Sequence, residues 1–583
     1  MSFRLHKLSS EPPAFDPIEF RNGVNLILGE RAPKGTGTQQ NKVNGVGKSV
    51  LVDFLHFALC RDFKDTRVSL IPPGVLPDDI TVVLDLAIHG KNYQVRRKIV
   101  SPDQVTVIDR SDASSRTFPR LDDATRFLGD KLFAGDPLAT QTSFRQLLSL
   151  LMRDEASGFR NPLNPMSADK RAVPPLQPHL YLLGISYETI HRYEVLKREM
   201  KSLTTSINHL EKILTDNRTL RIADLPAKLN EERERVKTIE AALAQLKTDP
   251  AFKAVESKLI AIESELLHLR SERKGLAWQI EQIRIVPQSE RVDTTDMRIV
   301  YDRIRAGLGD LVRKSLEQAM AFKAEIEQFQ QSLIKEELGI LETRHREVQQ
   351  HIGRLTDSHR ELTRQIDNRD VLSELRNGLT AASKQSESFH MLSSQLQMHQ
   401  RQLREKSDLK FQLETQLREV RLLMEQHHGI EKTLEDRIIA LHKRIMSSAE
   451  ASFKLVTANN TRSDRPIDID LRIKDDRSKS IDEAKVLIYD FALLTAPLSP
   501  PRHPGFLLHD NILEVDNDTL VQSLNLIAEL EDSATDFQYI LTLNRDKIEP
   551  TEIARQITLD IPTHTVSRLT KEAPFLRRNY QEM

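Results

Sequence analysis

The sequence predicts two α/β lobes, one at each end of the chain, joined by a long antiparallel coiled-coil hairpin. Three observations predict it. A strand ("NLILGE"), a glycine-bearing loop and a helix ("NGVGKSVLVDFLHFAL") follow one another near the start. Apolar residues then recur at alternating spacings of three and four through the middle of the chain. Strand-like runs return after about residue 451. Of 583 residues, 29% are charged and 5% aromatic, a composition that suits long solvated helices better than one large core.

The N-terminal lobe spans 1–186. "FRLHKL", "VNLILG", "ITVVLDLAIHG" and "KNYQVRRKIV" read as strands, and Arg31–Gln40 as an exposed loop. A strand before "NGVGKS" and an amphipathic helix after it form the setting a phosphate loop requires: backbone N–H groups and the helix N-terminus face an anion. Gly45 and Gly47 let the backbone approach closely. Lys48 would reach the β and γ phosphates, and the Ser49 hydroxyl would sit on Mg2+. Lys42 stands where the first glycine of the motif is usual.

The outgoing arm is read at 187–284, with a seam through Leu196, Met200, Leu203, Ile207, Leu210 and Leu214, an interruption at Pro226, and a resumption from Phe252 to Ile283. If continuous it would extend roughly 150 Å. Pro287 opens the arm tip, 285–311. The returning arm, 312–450, keeps the rhythm from Ile334 to Ile366 and from Leu413 to Leu441, with a kink or fold-back expected near the Ser-rich patch at 378–395. His345 and His359 on this seam read as tolerated polar positions. The competing reading of the middle is a helical bundle.

The C-terminal lobe spans 451–583. "PIDIDLRI", "GFLLHD", "FQYILTLN" and "HTVSRLT" read as strands, and "IDEAKVLIYDFALLT" and "DTLVQSLNLIAELEDS" as helices. A phosphate loop needs a partner strand ending in a carboxylate that orders Mg2+ through water. "GFLLHD" fits, with Asp510 as the carboxylate; the alternative is an ordinary buried strand with a turn Asp.

This layout resembles that of SMC/RecN-type ATPases of the ABC superfamily. The short arms, "FLLHDN" and "YILTLNRD" look most like the small SMC-like ATPases of bacterial defence operons, the Lamassu and ABC-three-component type. The resemblance spans nearly the whole chain. It implies an α/β P-loop ATPase head assembled from N- and C-terminal lobes, with ATP and Mg2+ as cofactors. Carried over by position, Asn44, Gly45, Gly47, Lys48 and Ser49 form the phosphate loop. Gln146 in "SFRQLLSLLMR" is the candidate for the glutamine that senses Mg2+ and the γ-phosphate, with a surface glutamine opening a helix as its alternative. Ser480 occupies the place of the signature serine, which contacts ATP on the opposite subunit; Asp482 and Glu483 stand where that signature has glycines. Thr542 or Asn544 replaces the switch histidine. Asn511 replaces the Glu that polarises the attacking water; Asn cannot accept its proton, and His509, Glu514 and Asp516 lie nearby without the expected register. Slow Mg2+-dependent hydrolysis is therefore expected, with ATP acting mainly as dimer glue.

The resemblance further implies a head-to-head homodimer closed by ATP, double-stranded DNA as cargo, and a nuclease-like effector with an accessory subunit in anti-phage or anti-plasmid defence. RecN-like DNA repair and a coiled-coil scaffold with a vestigial site are the alternatives. The chain balances 84 basic against 85 acidic residues, so DNA contact would have to come from local clusters such as Arg96, Arg97 and Lys98, or Arg577 and Arg578. The single cysteine, Cys60, excludes an internal disulfide and fits a reducing compartment. The tip carries no Cys-x-x-Cys for a zinc hook. The opening residues read as a strand and not as a signal peptide, and no apolar run approaches bilayer length, so a soluble, cytoplasmic protein with no membrane partner is expected.

Overall fold

A computed structural model describes residues 2–30, 45–155, 158–165, 173–215, 221–248, 254–285, 338–363, 369–475, 479–533 and 536–578. In chain order its strands are β1 (Phe3–Glu11), β2 (Ile18–Glu19), β3 (Gly23–Gly29), β4 (Thr81–Ile88), β5 (Lys91–Lys98), β6 (Val105–Asp109), β7 (Ser115–Phe118), β8 (Met152–Arg153), β9 (Ala451–Thr457), β10 (Ile467–Ile473), β11 (Phe506–Asp510), β12 (Gln538–Asn544) and β13 (Thr565–Leu569).

One compact unit holds the described residues up to Arg192 and from Gln416 onward. Two sheets build it. The first has the order β2-β1-β4-β5-β6-β7 and is antiparallel throughout. The second has the order β13-β3-β12-β11-β8 and is parallel throughout, so it interleaves strands from both ends of the chain. β9 and β10 form a separate antiparallel pair.

Strands covered on both faces need apolar side chains at nearly every position, which is why β3, β11 and β12 read as continuous runs and not as alternations. β11 and β12 are buried at every residue. Their polar members therefore need internal partners. Gln538 finds one on β1: its Oε1 accepts from the Leu5 N–H at 2.7 Å and its Nε2 donates to the Leu5 carbonyl at 2.8 Å, tying one sheet to the other.

The helix α1 (Lys48–Ala58) lies against β4 and β5 of the first sheet and β3 and β11 of the second. Its apolar residues point to both sides, so nearly every position is buried. Arg97 and Arg145 serve the C-terminal end of α1. Arg97 donates to the carbonyls of Phe57 and Arg61 at 2.6 and 2.7 Å, and Arg145 to that of Leu59 at 3.1 Å. These cations complement the negative end of the helix dipole.

A buried polar chain crosses the parallel sheet. Arg153 on β8 makes two 2.6 Å hydrogen bonds to Asp490 on the helix Lys479–Thr495. Asp490 also accepts from His509 Nε2 at 2.9 Å, and His509 Nδ1 meets the Tyr539 hydroxyl at 3.0 Å. Burial alone would push the Asp490 carboxyl up, but the Arg153 cation and the hydrogen bonds from His509 and Arg153 outweigh it and hold it below its usual range.

The second unit holds the described residues between Tyr193 and Thr415. It is helical, and the seam positions Leu266, Leu269, Val348 and Ile352 pack together as expected. Arg344 bonds Glu272 while His359 bonds Glu263, so residues 338–363 run antiparallel to the helix Ala254–Ile285. His359 is thus a polar seam position paired to a carboxylate.

The described helices bear on two readings of the arms. The outgoing segment is not one continuous helix: Leu225–Thr248 and Ala254–Ile285 lie side by side, Glu232 meeting Gln385 while Lys274 meets Glu387. Leu225 and Trp278 share one apolar cluster. Pro250, between these helices in the sequence, lacks the N–H that a continuous helix needs. The Ser-rich patch holds no fold-back either, because the helix Arg369–Gln426 runs through it unbroken. The arm tip and residues 312–337 lie outside the described residues. Among the described residues, no helix is long and apolar enough to cross a membrane.

Asp490→Ala leaves the Arg153 guanidinium buried without its counter-charge. A loss of about 3–5 kcal/mol is expected, read as a lowered midpoint in chemical denaturation followed by circular dichroism. Asp490→Asn, which keeps the shape, should lose less.

Candidate nucleotide-binding site

In open parallel sheets, ligands bind beyond the carboxyl ends of the strands. Here that edge gathers the end of β3, from which the chain enters the phosphate loop, together with Asn544, Asp510 and the residues after Arg153. The register sets the spacing: Asn544 lies opposite Gly29, and Thr542 opposite Asp510. Residues 48 and 510, far apart in sequence, therefore meet within one unit.

The loop is described from Gly45; Asn44 and Lys42 lie outside the described residues. Gly45 and Gly47 have φ of 89° and 94°, in the left-handed region where only glycine is unstrained. Gly47 has a second reason to lack a side chain: a Cβ there would come within 2.8 Å of the Phe575 Cβ. The Phe575 N–H donates to the Val46 carbonyl at 3.1 Å, and its ring packs on Phe15 and Phe54. The C-terminal segment thus braces the loop, a contact that no local pattern in the sequence announces.

Lys48 opens α1 and is buried. Its ammonium donates to Asn544 Oδ1. Burial lowers its proton affinity, against the pull of Asp510, Glu155, Asp546 and Glu514. Asp510 is 1% exposed. Its Oδ1 accepts from Thr542 Oγ1 at 2.6 Å, and its buried Oδ2 has no hydrogen-bond partner among the described residues. Burial pushes the Asp510 carboxyl up to about 6, helped by Glu155 and opposed by the hydroxyls of Thr542 and Ser49 and by Lys48.

These residues fit Mg2+. A hard cation takes oxygen ligands and is usually held by one or two protein groups plus substrate phosphates. The Ser49 hydroxyl and Asp510 Oδ2, both beside the loop, supply oxygens of that kind. The carboxylates around Lys48 would repel a triphosphate, and a divalent cation would offset that repulsion.

Thr542 and Asn544, expected as stand-ins for a histidine, both touch the central pair. Asn511 has φ of 61°, a left-handed conformation that Asn tolerates better than Glu, and its Nδ2 donates to Glu514 Oε1 at 3.1 Å. Asp516 caps the helix Asn517–Asp532, accepting from the Thr519 N–H at 3.0 Å.

Gln146 takes the place of its alternative reading, a glutamine opening a helix. It closes a capping box on the helix Phe144–Leu151: its Oε1 accepts from the Ser143 N–H at 2.9 Å while Ser143 Oγ accepts from its own N–H at 3.1 Å. The S-x-x-Q spacing was the available signal. The group that reaches the site electrostatically from this region is Glu155, just beyond β8. Ser480 lies half-buried in the first turn of the helix Lys479–Thr495, and Asp482 and Glu483 are buried. The basic clusters have partners within the unit. Arg97 is buried under α1, Arg96 pairs with Glu11 at 2.5 Å, Arg577 pairs with Asp16, and Arg578 donates to the Gly74 carbonyl at 3.3 Å.

Residues 441–576 match the family described as "Uncharacterised protein conserved in bacteria (DUF2326)". That span is under half of the chain; it carries Asp510, Thr542, Asn544 and Phe575 but not the phosphate loop. No curated protein matches the sequence. Among solved structures, the Smc head domain with a coiled coil and joint from Pyrococcus yayanosii superposes with a TM-score of 0.35 at 14% identity, covering 95% of this chain and 94% of that one. A TM-score of this size carries no weight for function, and the α/β reading of the head rests on its own strand order.

Asp53, one turn beyond Ser49, yields a pH prediction. Burial and the neighbouring Asp154 push its carboxyl up to about 7, against Arg61 and Arg67. The folded chain therefore holds this proton more tightly than the unfolded chain, and stability falls as pH rises from about 4 towards 7. Asp53→Asn removes that loss. Its Tm should exceed the parent's by more at pH 8 than at pH 5 in differential scanning calorimetry.

Proposed function

We propose that this chain is a nucleotide-dependent switch whose head binds ATP with Mg2+ and hydrolyses it slowly. The observation that carries the reading is the convergence of Lys48, Ser49, Asp510 and Thr542 at the carboxyl edge of the parallel sheet, with one buried Asp510 oxygen lacking a hydrogen-bond partner among the described residues. Gly45, Gly47 and the N-terminus of α1 take the phosphates. Lys48 exchanges a neutral amide, Asn544, for the β and γ phosphate oxygens; an amide is a weaker competitor than a carboxylate would be. Mg2+, when bound, neutralises phosphate charge beside Ser49 and Asp510. Thr542 keeps the Asp510 carboxylate oriented. A general base is missing at Asn511, which fits slow turnover, since phosphoryl transfer depends mainly on positioning and charge.

The wider reading follows the resemblance noted on the sequence. Two heads close face to face over ATP, with Ser480 of each chain facing the nucleotide of the other. Closure clamps or senses double-stranded DNA and controls a nuclease-like effector and an accessory subunit in defence against phage or plasmids. The basic clusters singled out on the sequence lend DNA binding no support, so its test is separate: a filter or gel assay with and without ATP.

Lys48→Ala should abolish ATP binding in equilibrium dialysis, lowering affinity by about a hundredfold or more, as expected when a buried charge-assisted contact to phosphate is lost. Parent protein that binds no Mg2+–ATP at millimolar concentration rejects the reading.

A further inference from the structure

We propose that Glu155 is the carboxylate that polarises the attacking water, the role that Asn511 cannot fill. The inference deepens the Mg2+–ATP reading and rests on it. β8 pairs in parallel with β11, Met152 opposite Leu508 and Arg153 opposite His509. β8 ends at Arg153, and Asp154 and Glu155 follow it off the same carboxyl edge at which β11 ends in Asp510, the edge to which the Mg2+–ATP reading assigns the γ-phosphate. Asp154 turns to α1, ion-paired with Arg61 and 3.6 Å from His56. Glu155 stays at the edge, its side chain 41% exposed and held through Oε2 by Arg67 Nη2 at 3.3 Å. Its charge is felt by both Lys48 and Asp510.

Three other groups near the edge have partners of their own. His509 is fully buried, with its nitrogens on Asp490 and Tyr539. Asp516 caps a helix, and Glu514 Oε1 accepts from Asn511. Glu155 combines an anchor, which fixes its direction, with water access, which a general base requires. In the step assigned to it, the water oxygen bonds to the γ-phosphorus as its proton passes to the Glu155 carboxylate. The bond from that phosphorus to the bridging oxygen breaks, and its electron pair leaves with ADP. The proton returns to solvent with release of inorganic phosphate. Arg67 is a positioning residue for this group.

The test uses the full chain with Mg2+–ATP, reading nucleotide affinity and single-turnover phosphate release in parallel. Glu155→Gln should lower kcat by about a hundredfold, with affinity and KM within about twofold of the parent, and nucleotide recovered from the protein should remain ATP. Glu155→Asp should restore part of the rate. Parent-like turnover in Glu155→Gln overturns the assignment. So does an affinity loss like that of Lys48→Ala, a parent that binds ATP without hydrolysing it, or a rate loss confined to Glu514→Gln. Absence of any ATP binding by the parent is a different failure, that of the underlying reading.

Discussion

The parallel pairing of β3 with β12, and of β12 with β11, is the constraint on which the rest of the head depends. It joins Gly23–Gly29 to two strands encoded hundreds of residues later. β12 sits between the strand that leads to Lys48 and the strand that ends in Asp510, and its own residues face both: Asn544 holds the lysine and Thr542 holds the carboxylate. A shift of one residue in this register would turn Thr542 and Asn544 to the opposite face. The clip between Gln538 and Leu5 resists that shift, because slipping it would leave a buried amide without partners.

Electrostatics at the sheet edge is unbalanced towards negative charge, and burial sharpens it. Lys48 and Asp510 are near neighbours and both buried, yet the lysine is bonded to a neutral amide and one Asp510 oxygen is bonded to nothing described. An open carboxylate and a lysine held by an exchangeable partner fit a site prepared for a ligand that brings both negative charge and a divalent cation. The buried chain from Arg153 through Asp490 and His509 to Tyr539 runs through the strands next to these ends and hydrogen-bonds β8, β11 and β12 to one helix.

In the helical unit, apolar rhythm and actual path part company. Seam residues do meet across helices, as the spacing of three and four requires. The same rhythm is satisfied by several short antiparallel helices as well as by one long pair, because each helix sees only a neighbouring apolar stripe. Chain breaks decide between them, and Pro250 lies between two helices that turn out to be neighbours.

Much of the head was legible in the residues themselves. Continuous apolar runs marked β3, β11 and β12, since a strand covered on both faces tolerates little else, and "NGVGKS" between strand and helix marked the loop. The carboxylate at Asp510 could be named because it ends such a run. β8 could not be: a two-residue strand has no periodicity to read, and without it Glu155 was just an acidic residue in a polar stretch. The capping box of Gln146 was legible because its partner, Ser143, is local, whereas nearness to a phosphate is not. That Phe575 braces the loop, that Arg97 lies under α1, and that Lys48 rests on Asn544 were decided by tertiary structure alone. Each joins residues whose sequence separation carries no periodic signal, and only the packing of the two sheets around α1 brings them within bonding distance.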